Sequence, residues 1–244
     1  MTQQIKTDIC VIGASVGGLA LAVGMARLGA KVVLVDKGKW GEHSYGASLV
    51  SQAFLSSAHM AENLRHGDAF GVATTDVDPD VEKIHGAVHR TLKKIEQHET
   101  PRQLEELGIK VIRAQPHFTS PHLLKAGQIN IHASRFVLAT TAAPVIPHIP
   151  GIEDVPYFTS ETICENKEFV RHLVILGGGR MGVEMAQAYR RLGAKVTLIS
   201  RHYMMPEDDP DAVHVLREKL LKEGVVIKEA ARLLQVKSKK RGMD

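Results

Sequence analysis

Cysteine is almost missing from this 244-residue chain: Cys10 and Cys164 are the only two. Two thiols exclude a disulfide-stapled scaffold and a four-cysteine zinc site. Aromatic residues are scarce as well, at 5% with a single tryptophan, too few for the stacking platforms of single-strand nucleic-acid binders. The charge excess is small, +4, and part of it lies in the tail Lys237, Lys239, Lys240 and Arg241, which reads as a solvated end rather than a nucleic-acid grip. No nucleic-acid partner is expected. A long apolar run is lacking too. The uncharged stretch from Cys10 to Ala26 carries four glycines and has Asp8 at its edge, so it reads as a buried strand, a glycine turn and a packed helix, not as a signal segment or a membrane span. A cytoplasmic protein is expected.

What is present is a repeat. Val11-Ile12-Gly13 matches Ile175-Leu176-Gly177, and Arg27-Leu28-Gly29-Ala30-Lys31-Val32 matches Arg191-Leu192-Gly193-Ala194-Lys195-Val196, both at an offset of 164 residues. Each copy runs from a short apolar segment (Ile9–Ile12; Leu173–Leu176) through a glycine turn into a helix-period segment. Each then stops at a glycine (Gly29; Gly193) and resumes as a second apolar strand. The fold class is therefore α/β with two Rossmann-like dinucleotide-binding units, the first over residues 1–147 and the second over 148–244. Residues from about Pro79 to Leu107 read as a helical arm. Glu207–Glu223 reads as helix, and Val225–Lys228 and Leu233–Lys237 read as strands.

The turns name the chemistry. In the second copy Gly177, Gly179 and Gly182, with Arg180 and Met181 between, give the full G-x-G-x-x-G spacing. The first glycine permits the tight turn, the second lets a pyrophosphate reach the backbone, and the third lets helix and strand pack closely. In the first copy, Gly13-Ala14-Ser15-Val16-Gly17-Gly18, the outer positions hold and Ser15 replaces the middle glycine, its Cβ narrowing the approach. Asp36, followed by Lys37, ends the next strand eighteen residues beyond Gly18, where a carboxylate accepts hydrogen bonds from an adenosine ribose. Ser200 holds the matching place in the second copy. With Arg201 beside it, the second site favours NADP(H) over NAD(H), since a guanidinium suits a 2′-phosphate. His85 and His89 lie four apart on a helical run, but without a third ligand they read as a solvated helix face, so no metal site is expected.

These features, with Arg135-Phe136-Val137-Leu138-Ala139-Thr140, Pro144 to Gly151, Thr159 to Thr162 and Val111-Ile112-Arg113-Ala114, resemble the FAD-dependent pyridine nucleotide–disulfide oxidoreductases, in the dihydrolipoamide dehydrogenase and mercuric reductase branch. The resemblance covers almost the whole chain. It implies FAD on the first unit, with Thr140 at the strand end beside the flavin nucleotide and Ala114 on a strand whose backbone contacts the adenine. It also implies a pyridine nucleotide on the second unit. The departures are informative. Where the family carries C-x-x-x-x-C, this chain has His43 and Ser48, which cannot form the disulfide that takes electrons from reduced flavin. Gln52 replaces a lysine that in the family lies near the flavin and pairs with a glutamate, matched here by Glu184. Thr141 replaces the glycine of an A-T-G motif.

The resemblance thus implies an oxidoreductase passing hydride from NADPH to FAD and on to a small-molecule electron acceptor without a disulfide relay. The family's C-terminal half is not matched, so the resemblance implies that both units are incomplete. The alternative expectation is a non-catalytic nucleotide-binding remnant or an interaction protein, either self-associating as a homo-oligomer or pairing with a partner that supplies that half.

Overall fold

The computed structural model describes residues 3–38, 46–74, 78–96 and 100–238, the side chains at 46–50, 69, 92, 94–96 and 165 excepted. In chain order the elements are β1 (Gln3–Ile12), α1 (Val16–Arg27), β2 (Val32–Asp36), α2 (Gly46–Arg65), α3 (Val81–Glu96), α4 (Pro101–Glu106), β3 (Lys110–Arg113), β4 (Pro116–Ser120), β5 (Leu123–Ala126), β6 (Ile129–Leu138), β7 (His172–Leu176), α5 (Arg180–Arg191), β8 (Lys195–Ile199), α6 (Pro210–Lys222) and β9 (Val226–Lys228). They divide between two compact units, Met1–Leu49 with His89–Ala143, and Val50–Val88 with Pro144–Asp244.

The first unit is built on a six-stranded sheet in the order β3-β2-β1-β6-β5-β4. Its first four strands are parallel, and β5 and β4 complete it antiparallel. Alternation along β1 and β2 sends Cys10, Ile12, Val33 and Val35 to one face, where they pack with Ile112, Leu124 and Ile131. Val11, Val32 and Leu34 go to the other, against Leu19 and Ala22 of α1 and Leu104 of α4. Burial on both faces explains why these strands are continuously apolar. Burial also pushes the Cys10 thiol up to about 12, which makes it a packing residue rather than a nucleophile.

The second unit carries a three-stranded parallel sheet, β7-β8-β9. Val183, Ala186 and Tyr189 of α5 are buried together with Val196, Leu198 and Leu220. The Tyr189 ring lies 5.2 Å from that of Phe54 on α2, and its hydroxyl donates to the Ile163 carbonyl at 3.1 Å. Cys164, next to Ile163 in the chain, is buried as well.

Three expectations are corrected. The arm from Pro79 to Leu107 is two helices, because Thr100 sits in extended conformation before Pro101 and starts α4 with a capping box to Gln103. Leu233–Lys237 is not a strand: the Val236 amide donates to the Pro150 carbonyl at 2.9 Å and no ladder forms. His85 is not solvated but buried, its ring 6.1 Å from that of Phe54, while His89 is exposed. The uncharged Cys10–Ala26 stretch is the end of β1, the turn and α1, and among the described residues no helix is long and apolar enough to cross a membrane.

Candidate functional site

At the carboxyl ends of β1, β2 and β6 the backbone is laced into a shallow cup. The Gly13 amide donates to the Val35 carbonyl at 2.8 Å, and the Ala139 amide donates to that of Ile12 at 2.8 Å. Gly13 has φ +107, and a Cβ there would run into the Ala139 carbonyl, so the crossing of these strands is open to glycine alone. Gly18, one turn into α1, is similarly pressed onto the Gly13 carbonyl. Gly17 faces open space. Ser15 acts through its hydroxyl, which donates to the Ala139 carbonyl at 2.8 Å and accepts the Gly18 amide at 3.3 Å. It therefore caps α1 and ties the turn to β6, a role its reading as a narrowed approach did not contain.

Asp36 is fixed in the same cup. Its Oδ2 accepts the Ala14 amide at 2.6 Å and its Oδ1 accepts the Gly38 amide at 2.6 Å. Each oxygen keeps a further lone pair, so the carboxylate is oriented while still able to accept hydroxyls. A cleft of about 340 Å³ opens here, lined among others by Gly13, Ala14, Ser15, Asp36, Lys37 and Thr140. Six of the residues expected to hold a nucleotide thus meet at one place. Ala114 does not line the cleft but is tied to it by its amide, which donates to the Asp36 carbonyl at 3.0 Å. The same cleft is walled by Gln115, Pro116, Phe118 and Thr141. The first three were not singled out in sequence, and their only signal is that they follow Ala114. This is the crevice outside the strand ends, at the change of direction in strand order, where open α/β sheets take ligands.

The second turn repeats the geometry. Gly177 has φ +119, and its amide donates to the Ile199 carbonyl at 2.9 Å. A Cβ on Gly182 would strike the Gly177 carbonyl, so α5 lies as close to its turn as the spacing predicts. Gly179 begins α5 with no side-chain cap and open space before it. Ser200 is buried against Gly178, and Arg201 beyond it is exposed. Met181 is half-buried, and Arg180 reaches Asp208 at 2.8 Å.

Of the residues expected to carry the chemistry, Gln52 and Glu184 are the two whose side chains are described. Gln52 on α2 is exposed and Glu184 on α5 is half-buried; among the described residues no hydrogen bond joins them. His43 lies outside the described residues, and of Ser48 only the place on α2 is described. Among the described residues no group of three or more metal-ligating side chains converges.

The profile of the family described as pyridine nucleotide-disulphide oxidoreductase matches residues 7–243. The chain belongs to this family. Similar curated proteins include a mercuric reductase of Streptomyces lividans, 27% identical over 94% of this chain and 50% of its own length. Another is the dihydrolipoyl dehydrogenase of Bacillus subtilis (strain 168), 28% identical over 93% of this chain and 51% of its own. Among solved structures, the Cu(II) complex of a mutant of the HOCl-induced flavoprotein disulfide reductase RclA from Escherichia coli is similar, with a TM-score of 0.72 and 26% identity. It is matched over 97% of this chain and 52% of that one. The chain spans about half the length of the relatives it matches. The Rossmann-like α/β fold and the family expectation thus both hold.

Proposed function

We propose that this chain is a flavoprotein pyridine-nucleotide oxidoreductase, the first unit holding FAD and the second a pyridine nucleotide, NADPH in preference to NADH. The observation that carries the reading is Asp36, whose two carboxylate oxygens are each held at 2.6 Å by a backbone amide at the mouth of the 340 Å³ cleft. The donors and the glycine-lined approach fit an adenosine diphosphate. Asp36 accepts the ribose hydroxyls, Gly13, Ala14, Ser15, Gly17 and Gly18 admit the diphosphate to the start of α1, and Lys37, Ala114 and Thr140 border the nucleoside. On the second unit Gly177, Gly179, Arg180, Met181 and Gly182 form the diphosphate turn, and Ser200 and Arg201 face the ribose end.

Bound flavin supplies hydride acceptance from the pyridine nucleotide and electron delivery to an acceptor. The chain's own contribution is positional. Glu184 and Gln52 retain the positions of a charged pair without its cation, and His43 and Ser48 stand where a redox disulfide would. Electrons therefore leave to a small acceptor such as oxygen or a quinone, not through cysteines. Absorbance of the freshly purified protein in the flavin band tests the reading, together with NADPH oxidation by added quinone. Flavin-free protein that takes up no FAD would overturn it.

A second reading has its own support. On the sheet of the second unit Val174 and Val226 are each 51% exposed, an apolar face of the kind that α/β sheets cover. That face suits a second copy of the chain or a partner protein laid against it, the nucleotide sites then serving binding alone. NADPH oxidation by the isolated chain separates the two readings.

A further inference from the structure

The second diphosphate turn carries a charge where helix electrostatics disfavours one. Arg180 is the first residue of α5, and no acidic residue occupies that first turn. The positive end of the helix dipole repels a guanidinium there and attracts an anion. The cap supplies no side-chain acceptor either, since it is Gly179. By contrast α1, α4 and α6 are capped by Ser15, Thr100 and Asp209. A local rule broken at a nucleotide turn points to function.

The counter-ion comes from the loop after β8. Asp208 Oδ1 accepts Arg180 Nη2 at 2.8 Å although the arginine side chain is 76% exposed. Glu207 adds a second negative charge nearby. That loop is anchored. The Met205 amide donates to the Gly178 carbonyl at 2.9 Å, and the Asp208 amide donates to that of Met205 at 3.1 Å. Glu229 accepts the Met204 amide at 2.8 Å on one oxygen and Arg217 Nε at 3.0 Å on the other. The same turn that would receive a diphosphate thus holds the loop that delivers Asp208.

We propose that Asp208 is the resting counter-ion of Arg180 and that a dinucleotide diphosphate displaces it, making Asp208 a determinant of pyridine-nucleotide affinity that never touches the ligand. Carboxylate and phosphate offer the guanidinium the same two-oxygen edge, so one excludes the other from bidentate contact. An exposed carboxylate pair is weak, which lets a doubly charged diphosphate with the helix amides behind it win the exchange. The inference rests on the reading of this turn as the pyridine-nucleotide site.

Calorimetric titration of the full chain with NADPH, NADH and 2′-phosphoadenosine, which has no diphosphate, tests it. Asp208→Asn is expected to tighten NADPH and NADH alike by about two- to fivefold and to leave 2′-phosphoadenosine unchanged. Arg180→Gln is expected to weaken both dinucleotides about tenfold, and in that background Asp208→Asn gives no gain. Circular dichroism of each variant checks that the fold is kept. Equal dinucleotide affinities in wild type and Asp208→Asn, or an equal gain for 2′-phosphoadenosine, overturn the exchange alone. A wild type that binds no dinucleotide overturns the site reading and the exchange with it.

Discussion

Asp36 combines two tasks that one substitution separates. Its carboxylate orients the first turn by accepting two backbone amides, at 2.6 Å each, and it presents acceptors to the cleft. Asparagine keeps the size but turns an amide group toward one of those donors, so the pair of backbone bonds cannot both survive. Charge-assisted bonds of this kind are worth about 1.5–3 kcal/mol. Asp36→Asn is therefore expected to weaken FAD about ten- to hundredfold, read as flavin lost on gel filtration at fixed added FAD. Retained flavin equal to wild type would remove Asp36 from the site. Gly182 presents the opposite case, a residue that acts by what it lacks. A methyl group there meets the Gly177 carbonyl, so Gly182→Ala must push α5 off its turn. The expected cost is about 1–3 kcal/mol in urea unfolding, with loss of NADPH binding and with FAD binding unaffected. The spacing of these glycines was legible because each position answers to one backbone contact. The adjoining wall of Gln115, Pro116 and Phe118 was not, because side chains that line a cleft need no fixed interval.

At the scale of elements, three helix ends in the second unit converge on Glu223, which follows α6. Arg191 from α5 meets its carboxylate at 2.7 Å and Lys219 meets it at 3.3 Å. Arg190 donates to the Glu223 carbonyl at 2.6 Å, and Arg65, closing α2, donates to the Arg191 carbonyl at 2.6 Å. Cations thus sit on the negative ends of the helix dipoles. Burial works to raise the Glu223 carboxyl, but Arg191 and then Lys219 outweigh it and hold the group below its usual value of 4.5. A carboxylate with a lowered folded value contributes its full stability above the unfolded value and loses it as pH falls through the folded one. Between neutral pH and pH 5 the unfolding free energy owed to Glu223 should therefore stay flat, then decline below about 4.5. Glu223→Gln strands Arg191, whose side chain is only 11% exposed, and should cost about 3 kcal/mol at pH 7. Less of that cost should remain in the acid. Urea melts at several pH values read both effects, and an equal cost at pH 7 and pH 3 would show that the charge is not responsible. The Arg191 partner was not visible in the sequence, since it lies 32 residues from Glu223 and carries no motif, whereas Lys219 stands at the i,i+4 spacing of a helical ion pair. The split of the helical arm at Thr100 was in principle legible, because a residue before proline leaves the helical region. The apolar alternation of Leu233–Lys237 misled for the reverse reason: it marks a strand only when a neighbouring strand exists to pair with.

For the whole molecule, the repeat at a constant offset carried the fold, since two βαβ units sharing one spacing leave few arrangements open. What it left undecided is what covers the second sheet. Strands β7 and β9 are the two edges of that sheet, and Val174, on β7, lies in register with Thr197 of β8, which in turn faces Val226 of β9. Val174 and Val226 are half-exposed, and Leu176 is 40% exposed. They expose apolar surface on either side of Thr197, on a sheet whose outer strands pair with no further strand among the described residues, the combination that drives association. Self-association is the expected outcome for the isolated chain, with an average mass by light scattering that climbs as protein concentration is raised. Val174→Thr with Val226→Thr keeps β-branched side chains suited to a strand while making that surface polar, so the doubly substituted chain should fold and remain monomeric over the same range. If the wild type is monodisperse as a monomer at every concentration and retains stoichiometric flavin, that surface needs no cover and the enzyme reading gains over the partner reading. If the wild type associates and the double variant does so equally, the contact lies elsewhere on the chain.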